Sequence, residues 1–231
     1  MDLTYAAYVG DHKYIRGVCK EFSVYILKVY MKRAEKVEET RGKLIQAARS
    51  AFAQKGYAAA SMDDITASVG LTRGALYHSF GDKKGLLMAV VDQIDTEMAA
   101  QAHKAAAKAG SLWEGLIAEG VAYIKMALDP EVQRIVLLDG PAVLGDPSLW
   151  PSQNNCLQMT IQTLDKLIAE GTIKPANTEA AARLLNGAAL NAALWVAASN
   201  NPKAVVHKAI EAFMWLLDGL KISRHINSAL K

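Results

Sequence analysis

The sequence predicts an all-α protein built in two unequal helical parts, and three observations carry that expectation. Apolar residues make up 52% of the 231, much of that alanine, with only six prolines, a composition dominated by helix formers. Apolar residues recur at 3.6-residue spacing in segment after segment, whereas the strict alternation of a strand is hard to find. The segments are opened by Ser, Thr or Asp and closed by Gly, as helix caps require.

The first thirty residues differ from the rest. They hold five of the eight tyrosines (Tyr5, Tyr8, Tyr14, Tyr25 and Tyr30), a cysteine and few alanines. Met31 then opens "MKRAEKVEET", a charged run of the kind that precedes a first helix. Residues 1–36 are therefore expected to be an N-terminal extension, with Met31 the expected native start; an extra helix around Glu21 to Met31 is the competing expectation.

From Thr40 the elements are punctuated clearly. Thr40 is expected to cap a helix with Leu44, Ile45, Ala48 and Phe52 on its inner face and Gly56 as its stop. Ser61 caps the next, short helix, with Met62, Ile65 and Val69 on one face and Asp63 and Asp64 in the first turn, where the helix dipole favours acids. Gly70 ends it, Leu71 enters the core, and Thr72 caps a third helix to about Phe80 with Leu76 and Phe80 facing inward. Two short helices joined by a glycine-containing turn make a helix-turn-helix, whose second helix fits the DNA major groove. Asp82 caps a long fourth helix with the stripe Leu86, Leu87, Val90, Val91, Ile94 and Met98.

Further along, Ser111 and Glu114 make a capping box, and Asp129 with Pro130 opens "DPEVQRIVLLDG", proline being tolerated at the first helical position. A loop, "GPAVLGDPSLWPS", precedes a helix over about Gln153 to Glu170. The last two helices, about Thr178 to Ala198 and Pro202 to Lys221, carry broad apolar faces that suit an internal core or half of an intermolecular four-helix bundle. The domain boundaries follow: a helix-turn-helix domain over 37–84 and a larger helical domain over 85–231.

Charge and cysteine usage narrow the function. Residues 1–90 hold 14 Lys and Arg against 9 Asp and Glu, and the remainder 12 against 14. A basic front and a slightly acidic back suit a protein whose front meets a polyanion. Cys19 and Cys156 show neither paired nor metal-ligand spacing and are expected to be free thiols in a reducing cytoplasm. No apolar run approaches the length needed to span a bilayer. The five histidines (His12, His78, His103, His207 and His225) are scattered, and no zinc-protease motif, phosphate loop or nucleophile elbow is present. No enzyme activity, metal or cofactor is expected.

The third helix carries the candidate reading residues. Arg73 and Gly74 lie in its first turn, the end that meets base edges. The planar fork of Arg73 can bond O6 and N7 of a guanine together; a phosphate contact or a free surface arginine also fits. Gly74 and Ala75 let the backbone approach the bases. Tyr77, beside core residue Leu76, can offer its hydroxyl to a phosphate or sit partly buried. Thr72 and Lys83 stand at helix N-termini, which attract phosphate, and Ser61 does the same for the second helix or serves as a cap alone.

Residues 40–94 resemble the DNA-binding domain of TetR-type transcriptional regulators. The resemblance rests on Ala48, Phe52, Gly56, Tyr57, Ser61, Ile65, Gly70, Leu76, Tyr77, Phe80, Lys83 and Leu86 at fixed spacing. It implies a phosphate contact by Tyr77, and it departs from the family at two points. Family members commonly read "LYxHF", whereas this chain has Tyr77, His78, Ser79, Phe80, so the histidine sits one place early. One residue rotates a side chain about 100° around a helix, leaving His78 and Ser79 as competing phosphate contacts. Thr66 stands where alanine is usual.

For the remainder, the resemblance implies a small-molecule pocket and a dimer interface. The candidate pocket residues are Trp113, Tyr123, Met126, Trp150, Met159 and Trp195, each of which ordinary core packing would also explain. The expected protein is a homodimeric repressor, paired through its last two helices. Two heads about 34 to 36 Å apart would grip a near-palindromic double-stranded DNA operator, to be released by a small apolar or amphipathic ligand. A DNA-binding regulator without ligand response is the alternative, and an all-helical enzyme or carrier a remoter one.

Overall fold

The computed structural model describes the backbone of residues 11–222 and the side chains of 31–222. Residues 1–10, at the head of the expected extension, and His225 lie outside the described residues, as do the side chains of Tyr14, Cys19, Tyr25 and Tyr30. Among the described residues the elements are helical, apart from an isolated antiparallel bridge between Ile173 and Lys221.

Helix α1 spans Asp11–Ala59 and passes through Thr40 without a break. The expected cap at Thr40 is thus corrected: its Oγ1 donates to the Lys36 carbonyl one turn back (2.8 Å), which satisfies the hydroxyl inside a helix. Residues 31–39 are exposed on every side, and the charged run is a solvated helix braced by pairs such as Glu39–Lys43 (2.6 Å). Gly56 is the true break, with φ +76° and ψ 163°, a conformation only glycine adopts at no steric cost.

Helices α2 (Met62–Ser68) and α3 (Arg73–Phe80) follow as expected. Ser61 Oγ accepts from Asp64 N (3.3 Å) and Thr72 Oγ1 from Ala75 N (3.2 Å). Gly70, at φ +66°, makes the turn between them. The buried Thr66 donates its hydroxyl to the Met62 and Asp63 carbonyls (3.0 and 3.1 Å), so the departure from alanine leaves no polar group unpaired. Leu44, Ala48, Phe52, Ile65, Leu76, Leu86 and Leu87 close the core of this head.

Helix α4 (Lys83–Ala106), capped by Asp82, starts in the head and runs into the larger domain. There it packs with α5 (Leu112–Met126) and α7 (Pro151–Ala169), onto which α8 (Thr178–Ala198) and α9 (Pro202–Asp218) pack in turn. Ser111 caps α5 through Glu114 N (3.2 Å), while the Glu114 carboxylate reaches Gly110 N (3.0 Å) rather than the cap residue's own amide. Asn177 and Asn201 cap α8 and α9.

Between α5 and α7 an expected helix takes an unexpected form and one expectation is corrected. "DPEVQRIVLLDG" is helical, but Val132–Asp139 winds as a π-helix. The following stretch, expected to be a loop, contains a short helix α6 (Gly140–Leu144) and a 3₁₀ turn (Pro147–Leu149). Gly140 allows α6 to lie against Trp150, whose ring would stand 2.8 Å from a Cβ at that position. That tertiary contact has no counterpart in local turn propensity.

Candidate functional site

The outer face of the head is assembled from the starts of α2, α3 and α4. Arg73, Gly74, Tyr77 and His78 are exposed on α3, and Tyr77 keeps 48% of its surface in solvent. Arg73 is held from the side, its Nε 2.7 Å from Asp63 Oδ1 at the start of α2. The carboxylate sets the direction of the guanidinium while both partners remain more than half exposed.

Tyr77 and His78 project outward, whereas Ser79 is half-buried and its carbonyl accepts from Arg41 Nη1 (3.2 Å). Arg41 also lies over the Phe80 ring, 4.6 Å from its centroid. A cation thereby closes the C-terminal end of α3, where the helix dipole favours positive charge. Lys83 is turned back: its Nζ reaches the Ala58 carbonyl (3.3 Å) and sits 4.6 Å over the Tyr57 ring. Its burial there pulls the ammonium pKa below the usual lysine value.

The head is clamped to the larger domain. Arg49 of α1 forks onto Glu131 through two bonds (Nε–Oε1 2.8 Å, Nη2–Oε2 2.7 Å) and bonds Glu97 of α4 through Nη1 (2.8 Å). These carboxylates push the guanidinium pKa above its ordinary value, and Arg49 holds that of Glu97 low. Nearby, the backbone N–H of Tyr57 donates to Asp139 Oδ2 (2.8 Å) at the end of the π-helical segment. A side chain at Gly56 would meet the Arg134 guanidinium at 2.7 Å.

A cavity of ≈ 330 Å³ lies inside the larger domain between α4, α5, α7, α8 and α9. Its wall is mainly apolar, with Leu116, Leu185, Ala189, Phe213 and Leu217, and carries the polar groups of Asp95, Glu119, Tyr123, Gln153, Thr160 and Asn186. Asp95 is 4% exposed and accepts from Gln153 Nε2 (3.2 Å). Burial raises its pKa, and burial likewise raises those of Glu119, Tyr123 and Cys156. Thr160 donates to Asn186 Oδ1 (3.0 Å) across the wall.

Of the six candidate pocket residues, Tyr123 and Met159 lie on this wall. Trp113 is buried beneath Lys221, whose Nζ stands 4.8 Å from the ring centroid, and Trp150 is buried against Gly140. Met126 packs onto the core, and Trp195 is half-exposed on the outside of α8. None of these four lines the cavity. Sequence reasoning missed Asp95 and Glu119, although an acid within the apolar stripe of α4 was a visible signal for the first. It also missed Arg41, Arg49 and Asp63, whose partners are distant in sequence or on a separate helix.

A short supporting helix, a glycine turn and an exposed second helix bearing Arg73, Tyr77 and His78 define a helix-turn-helix regulator of transcription. The family profile for bacterial regulatory proteins of the tetR family matches residues 44–90. That for the tetracyclin repressor-like C-terminal domain matches residues 113–220. A crystal structure of a TetR-family transcriptional regulator from Pectobacterium atrosepticum is 45% identical, with a TM-score of 0.76, over 81% of this chain and 97% of that one. The chain belongs to the TetR family of DNA-binding transcriptional regulators, which are not enzymes.

Curated relatives are similar over shorter stretches of the chain. The HTH-type transcriptional regulator TtgR of Pseudomonas putida is 40% identical over 60 residues, 26% of this chain and 29% of TtgR. The Transposon Tn10 TetC protein of Escherichia coli is 27% identical over 158 residues, 66% of this chain and 78% of TetC. The structure of RolR with its ligand resorcinol shares the fold at 17% identity and TM-score 0.63, over 82% of this chain and 91% of RolR. Regulators of this family act as dimers on operator DNA with small-molecule ligands. Among the described residues, no helix is long and apolar enough to cross a membrane.

Proposed function

We propose that this chain is a homodimeric repressor, released from a near-palindromic operator when a small molecule enters the cavity of the larger domain. The observation that carries the reading is the position of α4. Asp82 caps it next to the recognition helix α3, and its later residues Asp95, Ala99 and Ala102 form one wall of the cavity. A ligand that binds better to one setting of α4 shifts the spacing of the two heads, because differential affinity is all that such coupling needs. The resorcinol held by RolR, a relative in fold, supports a ligand-bearing role for this domain.

In this reading Arg73, oriented by Asp63, contacts a base edge, and Gly74 and Ala75 allow close approach. Tyr77 and His78 contact phosphates, supported by their exposure, while the partial burial of Ser79 favours His78 over Ser79. Thr72, Ser61 and the start of α4 at Lys83 add contacts from helix N-termini. Lys83 must leave the Ala58 carbonyl to give its ammonium to a phosphate.

The dimer forms through α8 and α9. Their outer faces expose Leu184 (76%), Trp195 (50%), Trp215 (69%) and Leu216 (57%), an apolar patch of the kind that marks an interface.

Selection from random duplexes, followed by titration across salt concentrations, tests the reading. A palindromic site is expected, with affinity that falls when a metabolite extract is added. Arg73→Ala should relax preference at one base pair per half-site by about 1 to 3 kcal/mol, and Lys83→Ala should weaken all duplexes alike. A failure to select any sequence, or unchanged affinity in every extract tried, refutes the corresponding half of the proposal.

A further inference from the structure

The charge on the cavity wall is one-sided. Asp95 from α4 and Glu119 from α5 both face the space, and no Lys or Arg lines it. Among the described residues, neither carboxylate makes an ion pair; Asp95 is met by neutral groups, the Gln153 amide at 3.2 Å and the Ser152 hydroxyl. His103 also lines the cavity and is exposed to solvent. Both acids and the Cys156 side chain border this same cavity.

An apolar pocket is a costly place for an unpaired carboxylate. A ligand that brings its own positive charge would offset that cost, since attraction between opposite charges is strong where water is excluded. A carboxylate or phosphate ligand would meet like charge, and an uncharged one would gain hydrogen bonds alone. The ring of Phe213 adds apolar wall for the body of such a ligand. Gly120 allows that ring to stand so close that any Cβ there would run into it.

We infer that the cavity selects an organic cation: a protonated amine, or a related onium group, on a compact apolar body, with the charge set between Asp95 and Glu119 and the body against Phe213 and Leu217. A cavity of ≈ 330 Å³ lies at the small end of ligand pockets and suits a body of one or two rings. The inference rests on the proposed role of this cavity as the ligand site.

The test uses three probes of one shape: 4-phenylbutylamine, 4-phenylbutan-1-ol and 4-phenylbutanoate. Each is titrated calorimetrically into the full-length protein and added to its complex with the selected duplex. The amine is expected to bind at least about tenfold tighter than the alcohol and the carboxylate weakest. Asp95→Asn and Glu119→Gln, near-isosteric changes that remove charge, should each shrink the amine-to-alcohol ratio, a readout insensitive to partial loss of folded protein. An amine that binds no tighter than the alcohol, or a ratio unmoved in both variants, overturns the inference, as does absence of binding by all three. Release of DNA by the alcohol or carboxylate alone would sink the cation preference and leave the ligand-release reading standing. A selective amine that leaves the duplex bound would do the reverse.

Discussion

Replacing Arg49 by methionine keeps most of the aliphatic stem of the side chain and removes the guanidinium that joins the head to the larger domain. The arginine side chain is 18% exposed, Glu131 30% and Glu97 45%, so the two contacts differ in weight. The forked pair with Glu131 is largely shielded, where hydrogen bonds to charged groups contribute about 1.5 to 3 kcal/mol. The Glu97 contact is open to solvent and screened, which limits it to less than about 1 kcal/mol. Arg49→Met should therefore cost about 2 kcal/mol in all, because it also strands the Glu131 carboxylate. For a chain of this length that corresponds to a Tm lower by about 4 to 8 °C. Glu131→Gln should cost about 1 kcal/mol, and Glu97→Gln less than about 0.5 kcal/mol. Urea melts of the single and double variants give the Arg49–Glu131 coupling energy, expected to exceed about 1 kcal/mol and to change little between low and high salt. A coupling below about 0.3 kcal/mol would show that the fork is incidental surface pairing and that the head is held by apolar packing alone.

Other expectations concern the operator face, the outer helices and the buried acid. His78→Ala should weaken binding to all duplexes by about 1 kcal/mol, whereas Ser79→Ala should leave affinity unchanged; the opposite pattern in anisotropy titrations would place the phosphate contact on Ser79. Trp215→Glu should weaken self-association by at least about thirtyfold, the loss of a hot-spot side chain, seen as monomer in sedimentation; an unchanged dimer would put the interface elsewhere. The raised pKa of Asp95 means that the folded state binds its proton more tightly than the unfolded chain, whose value is near 3.8. That stability is complete below 3.8 and is lost as pH rises through the folded pKa. Asp95→Asn should hence be more stable than the parent at neutral pH, with the gap closing as pH falls, in thermal melts run in parallel. A gap that stays constant with pH would assign the effect to packing rather than charge.

Legibility from sequence followed how local each cause was. The caps at Ser61, Thr72, Asp82 and Ser111 act within three residues and were readable as they stand. Thr40 was misread because a threonine hydroxyl can cap a helix or bond back within one, and the residues before it decide which. The π-helical turns of Val132–Asp139 carry the same apolar content as an α-helix, so periodicity over eight residues could not separate them.

The sequence by itself determined the helical class, the helix-turn-helix and the face of α3 that carries Arg73, Tyr77 and His78, since these depend on composition, short-range capping and a period of 3.6. Only the tertiary structure decided which aromatic side chains border the cavity, that Asp95 and Glu119 share it, and that Arg49 meets Glu131 and Glu97. Those arrangements join residues far apart in the chain, and their energies come from burial and charge in a space that no single helix defines.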